Sequence, residues 1–75
     1  MNAKELRRNM TEEALSVEFV MRGHPRISLA ELSEACRLSQ ASTEFIIEQM
    51  VCFGVARRGA FGRYSLTKEY ENGII

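Results

Sequence analysis

Apolar side chains recur along this chain at two periods, and the change from one to the other falls at Gly54. Between Leu38 and Gly54, Thr43, Ile46, Ile47 and Met50 follow the i, i+3, i+4, i+7 spacing that gathers side chains on one helical face. Gln40, Ser42, Glu44, Glu48 and Gln49 fall on the other faces, Ser39 offers a capping oxygen and Gly54 ends the run. This helix is predicted to turn one face inward and to offer the rest to a partner. Upstream, Ala3 to Arg22 is rich in helix formers, and Thr11-Glu12-Glu13 suits a helix start that Leu6 and Met10 could extend backwards. Val17, Val20 and Met21 form an inward stripe there, while Glu12, Glu13 and Glu18 read as a solvated face. Arg22-Gly23-His24-Pro25 stops the helix, because the residue before proline is pushed out of helical geometry. After Ile27, a short extended segment, Ser28-Leu29-Ala30-Glu31 is a capping-box pattern, which predicts a second helix to about Cys36 burying Leu29, Leu32, Ala35 and Cys36. Arg37-Leu38 is left as a tight turn.

Beyond Gly54 the alternation is that of strands. Val55-Ala56-Arg57-Arg58 and Arg63-Tyr64-Ser65-Leu66-Thr67 flank Gly59-Ala60-Phe61-Gly62, whose glycines suit a hairpin loop of that length. Tyr64 and Leu66 alternate with Arg63, Ser65 and Thr67, so one face is expected on the core and a polar, partly basic one in water. Lys68 to Ile75 carries no clear pattern and is expected as a loose tail, giving one domain over 1–67 and a tail over 68–75.

Composition narrows the function. A chain of 75 residues, 45% hydrophobic and 27% charged, is one small domain near the lower limit for a core without disulfides or metal. No apolar run approaches a membrane span and the N-terminus has no apolar signal region, so no membrane role and a cytoplasmic location are expected. Cys36 and Cys52 fall in predicted helices and read as reduced packing residues; with His24, an exposed turn residue, they are too scattered for a zinc site, so no metal and no cofactor are expected. The chain has no aspartate, hence no Ser-His-Asp arrangement, and its glycines lack the lysine and following helix of a phosphate loop. Catalysis is not expected. Ten basic and ten acidic residues cancel, so any grip on nucleic acid depends on local clustering of arginines beside the third helix.

Helix, short strand, helix, tight turn, helix and hairpin is the order of a winged helix-turn-helix, an α+β fold of three helices and a C-terminal β-hairpin wing. The match runs from Val17 to Thr67: ISLAELSEACRLSQAST resembles the second helix, turn and third-helix start of bacterial winged-helix regulators, and EQMVCFGVARR and GRYSLT resemble the passage into the wing and its second strand. In layout the chain is similar to the small fimbrial phase-variation regulators, and also to a winged-helix protein of bacterial ferrous-iron transport. The resemblance implies a bacterial or phage transcription regulator that binds double-stranded DNA as a homodimer. It places Gln40, Ser42, Thr43, Glu44 and Phe45 against bases in the major groove, and Arg57, Arg58, Arg63, Arg26 and Arg37 against the phosphate backbone.

The same residues leave a second reading open. Ser39 to Gln49 holds no lysine or arginine but does hold Glu44 and Glu48, whereas Arg or Lys to guanine is the commonest specific base contact. Phe45 stands where DNA-binding relatives often carry a basic residue, and Phe45, Val51 and Phe53 exceed what a core face needs. The alternative is a protein-protein adaptor of winged-helix fold that docks through those three residues. Arg37 also occupies a turn position where many relatives have glycine. Phe61 at the wing tip is either a wedge or a ring folded over the hairpin.

Overall fold

Oxygen side chains start every α-helix of the computed structural model, which describes residues 2–75. Asn2 accepts from Glu5 N at 2.9 Å to open α1 (Ala3–Arg8), and Thr11 accepts from Ala14 N at 3.1 Å to open α2 (Glu12–Gly23). Ser28 and Glu31 form the expected capping box of α3 (Leu29–Cys36), and Ser39 accepts from Ser42 N at 3.1 Å to open α4 (Gln40–Cys52). Each bond satisfies an amide that the first helical turn leaves without a partner. The helix-forming stretch from Ala3 to Arg22 is therefore two helices, because the extended backbone Thr11 adopts as a cap (φ −69°, ψ 167°) cannot lie inside a helix.

Strands β1 (Ile27–Ser28), β2 (Ala56–Arg58) and β3 (Arg63–Leu66) form an antiparallel sheet in the order β1-β3-β2. Ala56 faces Leu66 and Arg58 faces Tyr64 across the hairpin, while Ile27 pairs with Tyr64 on the other side. The two-stranded wing predicted from the sequence thus gains a third strand. Val17, Met21, Ile27, Leu32, Ile47, Met50, Val55, Ala56, Leu66 and Tyr70 make the core. This is a winged helix-turn-helix with two helices more than the three expected, α1 and α5 (Lys68–Ile74).

Four expectations are corrected. Residues 68–75 are not a loose tail: Thr67 caps α5 by accepting from Tyr70 N at 3.2 Å, and Tyr70 is buried. α5 lies against α1 so closely that a Cβ on Gly73 would sit 2.6 Å from Ala3 Cβ. Glu18 is not on a solvated face but fully buried, with Arg7 Nε 2.9 Å and the Tyr70 hydroxyl 2.5 Å from Oε2. Arg22 Nε lies 2.9 Å from Oε1, although its N–H is not aimed at that oxygen, so charge rather than a directed hydrogen bond holds it. In α3 it is Ser33, not Ala35, that is buried; its hydroxyl donates to Ala30 O at 2.9 Å. Of the cysteines, Cys36 is half-buried, which pushes its thiol pKa up, and Cys52 is exposed rather than packed. Among the described residues no helix is long and apolar enough to cross a membrane.

Candidate nucleic-acid interface

The turn between α3 and α4 is made by a residue in the left-handed region. Arg37 has φ 56° and ψ 41°, and its N–H reaches back to Glu34 O and Ser33 O while Leu38 N–H reaches Ser33 O at 3.0 Å. Those bonds satisfy the last carbonyls of α3, the role usually taken by glycine because a Cβ is strained there. Arg37→Gly is accordingly expected to raise stability by up to about 1 kcal/mol, the relief of strain less the extra unfolded-state freedom of glycine. A thermal melt checks it, and a lower midpoint for the glycine variant would contradict it.

The turn delivers α4 with its core face inward and the opposite face of its first two turns outward. Ile47 and Met50 are buried, and Ile46 packs against them at the edge. Gln40, Ser42, Glu44 and Phe45 are exposed, as is Ala41, which the sequence reading passed over. Thr43 is the exception among the expected base readers. It is fully buried, with its hydroxyl donating to Ser39 O at 2.9 Å, so it supports the helix start and does not face a groove.

The wing does not carry the continuous cationic strip that DNA binding was expected to require. Strand alternation puts Arg58 on the face it shares with Ala56, and it pairs there with Glu48 of α4. Arg57, opposite Ser65, is turned to the other face, in a shallow depression that also holds Arg22, Lys68, Glu69 and Glu71. Arg63 Nη1 donates to Glu31 Oε1 at 3.0 Å. Among the described residues Arg26, Arg37 and Arg57 make no ion pair, and all three are exposed. Glu31 is held ionised: the Ser28 backbone N–H, then the Ser28 hydroxyl, then Arg63 keep its carboxyl below the usual carboxylate range. Capping of α3 was legible in the sequence, but this second role of Glu31 joins residues 32 positions apart. At the wing tip Phe61 (φ 60°) is 95% exposed and does not fold over the hairpin.

A second surface borders the first. Leu6, Met10, Ala14, Phe45, Ile46 and Phe53 line an apolar groove of about 380 Å³ between the N-terminal segments and α4. Phe45 and Phe53 are 67% and 59% exposed along it, whereas Val51 is half-buried against the core and is not part of its lining. Among the described residues, no group of three or more His, Cys, Asp or Glu side chains is placed to hold a metal ion.

No protein-family model matches the sequence, and comparison with curated proteins finds no match. Among solved structures, RV1404 from Mycobacterium tuberculosis is similar with a TM-score of 0.82 at 17% identity, over 96% of this chain and 53% of that one. A MarR family transcriptional regulator from Silicibacter pomeroyi is similar with a TM-score of 0.78 at 18% identity, over 93% of this chain and 54% of that one. An O-methyltransferase of neocarzinostatin biosynthesis, NcsB1, shares the fold less closely, with a TM-score of 0.57 at 21% identity over 89% of this chain and 25% of that one. These likenesses establish the winged-helix fold; the chain spans about half the length of the first two structures.

Proposed function

We propose that the chain is a winged-helix DNA-binding module of a transcription regulator, with the front of α4 in the major groove. The observation that carries this reading is the open first half of α4, where Gln40, Ser42, Glu44 and Phe45 stand exposed at the end of a helix-turn-helix. Gln40 suits adenine, Glu44 accepts from cytosine N4, and Phe45 suits a thymine methyl. Arg37, in the turn before α4, and Arg26, ahead of β1, are the unpaired charges that serve the backbone on this reading. So few free cations make a single copy a weak binder, since log affinity falls by about 0.9 per phosphate contact for each decade of salt. The module therefore acts as a pair of copies, and Phe19 and Ile75, 69% and 93% exposed, are two of the apolar residues open to such an interface.

Selection from a random-sequence duplex pool followed by mobility shifts tests the proposal. An enriched motif is expected, with Gln40→Ala costing about 1–3 kcal/mol and relaxing one base position. Arg37→Ala should instead weaken all sequences alike and flatten the salt dependence by about 0.9. No enriched motif, together with no shift at about 50 mM salt, would reject the reading. The groove beside Phe45 and Phe53 favours the adaptor as a second reading. On that reading Phe53→Ala abolishes capture of a protein partner, and the DNA selection stays blank.

A further inference from the structure

We infer that Glu48 and Glu31 stand in for phosphates within the molecule, withholding Arg58 and Arg63 from DNA and thereby setting how firmly the wing grips it; this rests on the DNA-binding reading above. Two of the three wing arginines, one on each face of the hairpin, already have a carboxylate of the helix-turn-helix as partner. Arg58 is paired with Glu48 of α4, and Arg63 Nη1 lies 3.0 Å from Glu31 Oε1 of α3. Arginine binds carboxylate and phosphate oxygens with the same planar donors, so these pairs fill sites that a phosphate would otherwise take.

The two glutamates cannot follow their arginines onto a ligand. Glu31 Oε1 also accepts the Ser28 N–H at 3.0 Å, which ties the carboxylate to the start of α3. Glu48 sits on α4 one turn after Glu44, with its side chain 34% exposed. Both pairs remain in part open to water, the arginine side chains being 59% and 43% exposed, so they are exchangeable and not buried structural ties. Arg57 lies on the hairpin face of Ser65 and Arg63 but makes no ion pair among the described residues, so it stays outside the arrangement. The pairing accounts for a wing of correct shape and low effective charge, and it makes the glutamates the adjustable elements of affinity.

Glutamine at either position removes the charge and keeps the shape, and at residue 31 it still completes the capping box. The measurement is fluorescence anisotropy of the whole chain on a labelled mixed-sequence duplex, which reads phosphate contacts without needing the specific site. Glu48→Gln and Glu31→Gln are each expected to tighten binding roughly eightfold at about 0.1 M salt and to steepen the salt dependence by about 0.9, as for one regained phosphate contact. The double variant should gain roughly sixtyfold. Adding Arg58→Ala to Glu48→Gln, or Arg63→Ala to Glu31→Gln, should cancel the respective gain. A gain that survives loss of the arginine would trace to plain carboxylate repulsion and overturn the inference while leaving DNA binding intact. Unchanged affinity and slope in the glutamine variants would do the same. No binding by the parent chain or by any glutamine variant would instead reject the DNA-binding reading itself, and the inference with it.

Discussion

A chain shortened to end at Thr67 is expected to lose most of its folding free energy. Residues 68–75 supply Tyr70, which is 3% exposed in the core and donates its hydroxyl to the buried carboxylate of Glu18 at 2.5 Å. Burial of a large side chain is worth about 1.5–3 kcal/mol. A hydrogen bond to a charged group adds about 1.5–3 kcal/mol. The sum rivals the total for a domain of this size, which at roughly 0.05–0.15 kcal/mol per residue is on the order of 4–11 kcal/mol. Urea titration followed by circular dichroism should show the shortened chain largely unfolded or with its midpoint far lower; near-parental stability would refute the role given to α5. Tyr70→Phe isolates the hydroxyl, at a cost of about 1.5–3 kcal/mol. Burial, then the hydrogen bond and charge of Glu18, push the Tyr70 pKa above the ordinary tyrosine value. The folded state thus keeps a proton that the unfolded chain loses near pH 10, so this contribution is complete below about pH 10 and fades as pH rises further. Tyr70→Phe should remove that share of the alkaline loss.

Glu18→Ala is the second large effect. The substitution leaves the Tyr70 hydroxyl buried without an acceptor, which costs about 1–3 kcal/mol, and opens a void beneath α1 and α5. Stranding a fully buried charge would add more, but the Arg7 and Arg22 side chains are 45% and 40% exposed and can turn to water. The expected loss is about 2–4 kcal/mol. For a domain of this length that lowers the melting midpoint by roughly 10–25 °C. Glu18→Gln should cost less, since an amide oxygen still accepts from Tyr70. A double-mutant cycle with Tyr70→Phe should return at least about 1 kcal/mol of coupling. A change within about 0.5 kcal/mol, the range of a surface substitution, would restore Glu18 to the solvated face that its sequence position suggested.

The order of elements from α2 to β3 was legible because its signals are local. Thr11, Ser28 and Ser39 each cap within three residues of themselves, and the Gly59–Gly62 loop lies between its own strands. Helix α5 was not legible, since seven residues containing Gly73 show too little periodicity and are stabilised by what they touch. Gly73 reads as a breaker in isolation, yet in the fold it is what lets α5 approach Ala3. At the candidate site, the exposure of Gln40, Ser42 and Glu44 followed from helical spacing, and that of Phe45 from the apolar surplus on α4. The burial of Thr43 followed from it too, and the family resemblance that counted Thr43 as a base reader overrode that signal.

By itself the sequence determined where the helices of the helix-turn-helix start, where the period changes to that of a hairpin, and which face of α4 turns inward. Capping and amphipathic spacing act over one or two turns of chain and leave their mark in consecutive residues. Only the tertiary structure decided that Glu18 is enclosed by Arg7 and Tyr70, and that Arg58 and Arg63 meet Glu48 and Glu31. Charge acts through space between groups that the chain separates by many positions, so a balanced composition constrains neither which charges meet nor which stay free.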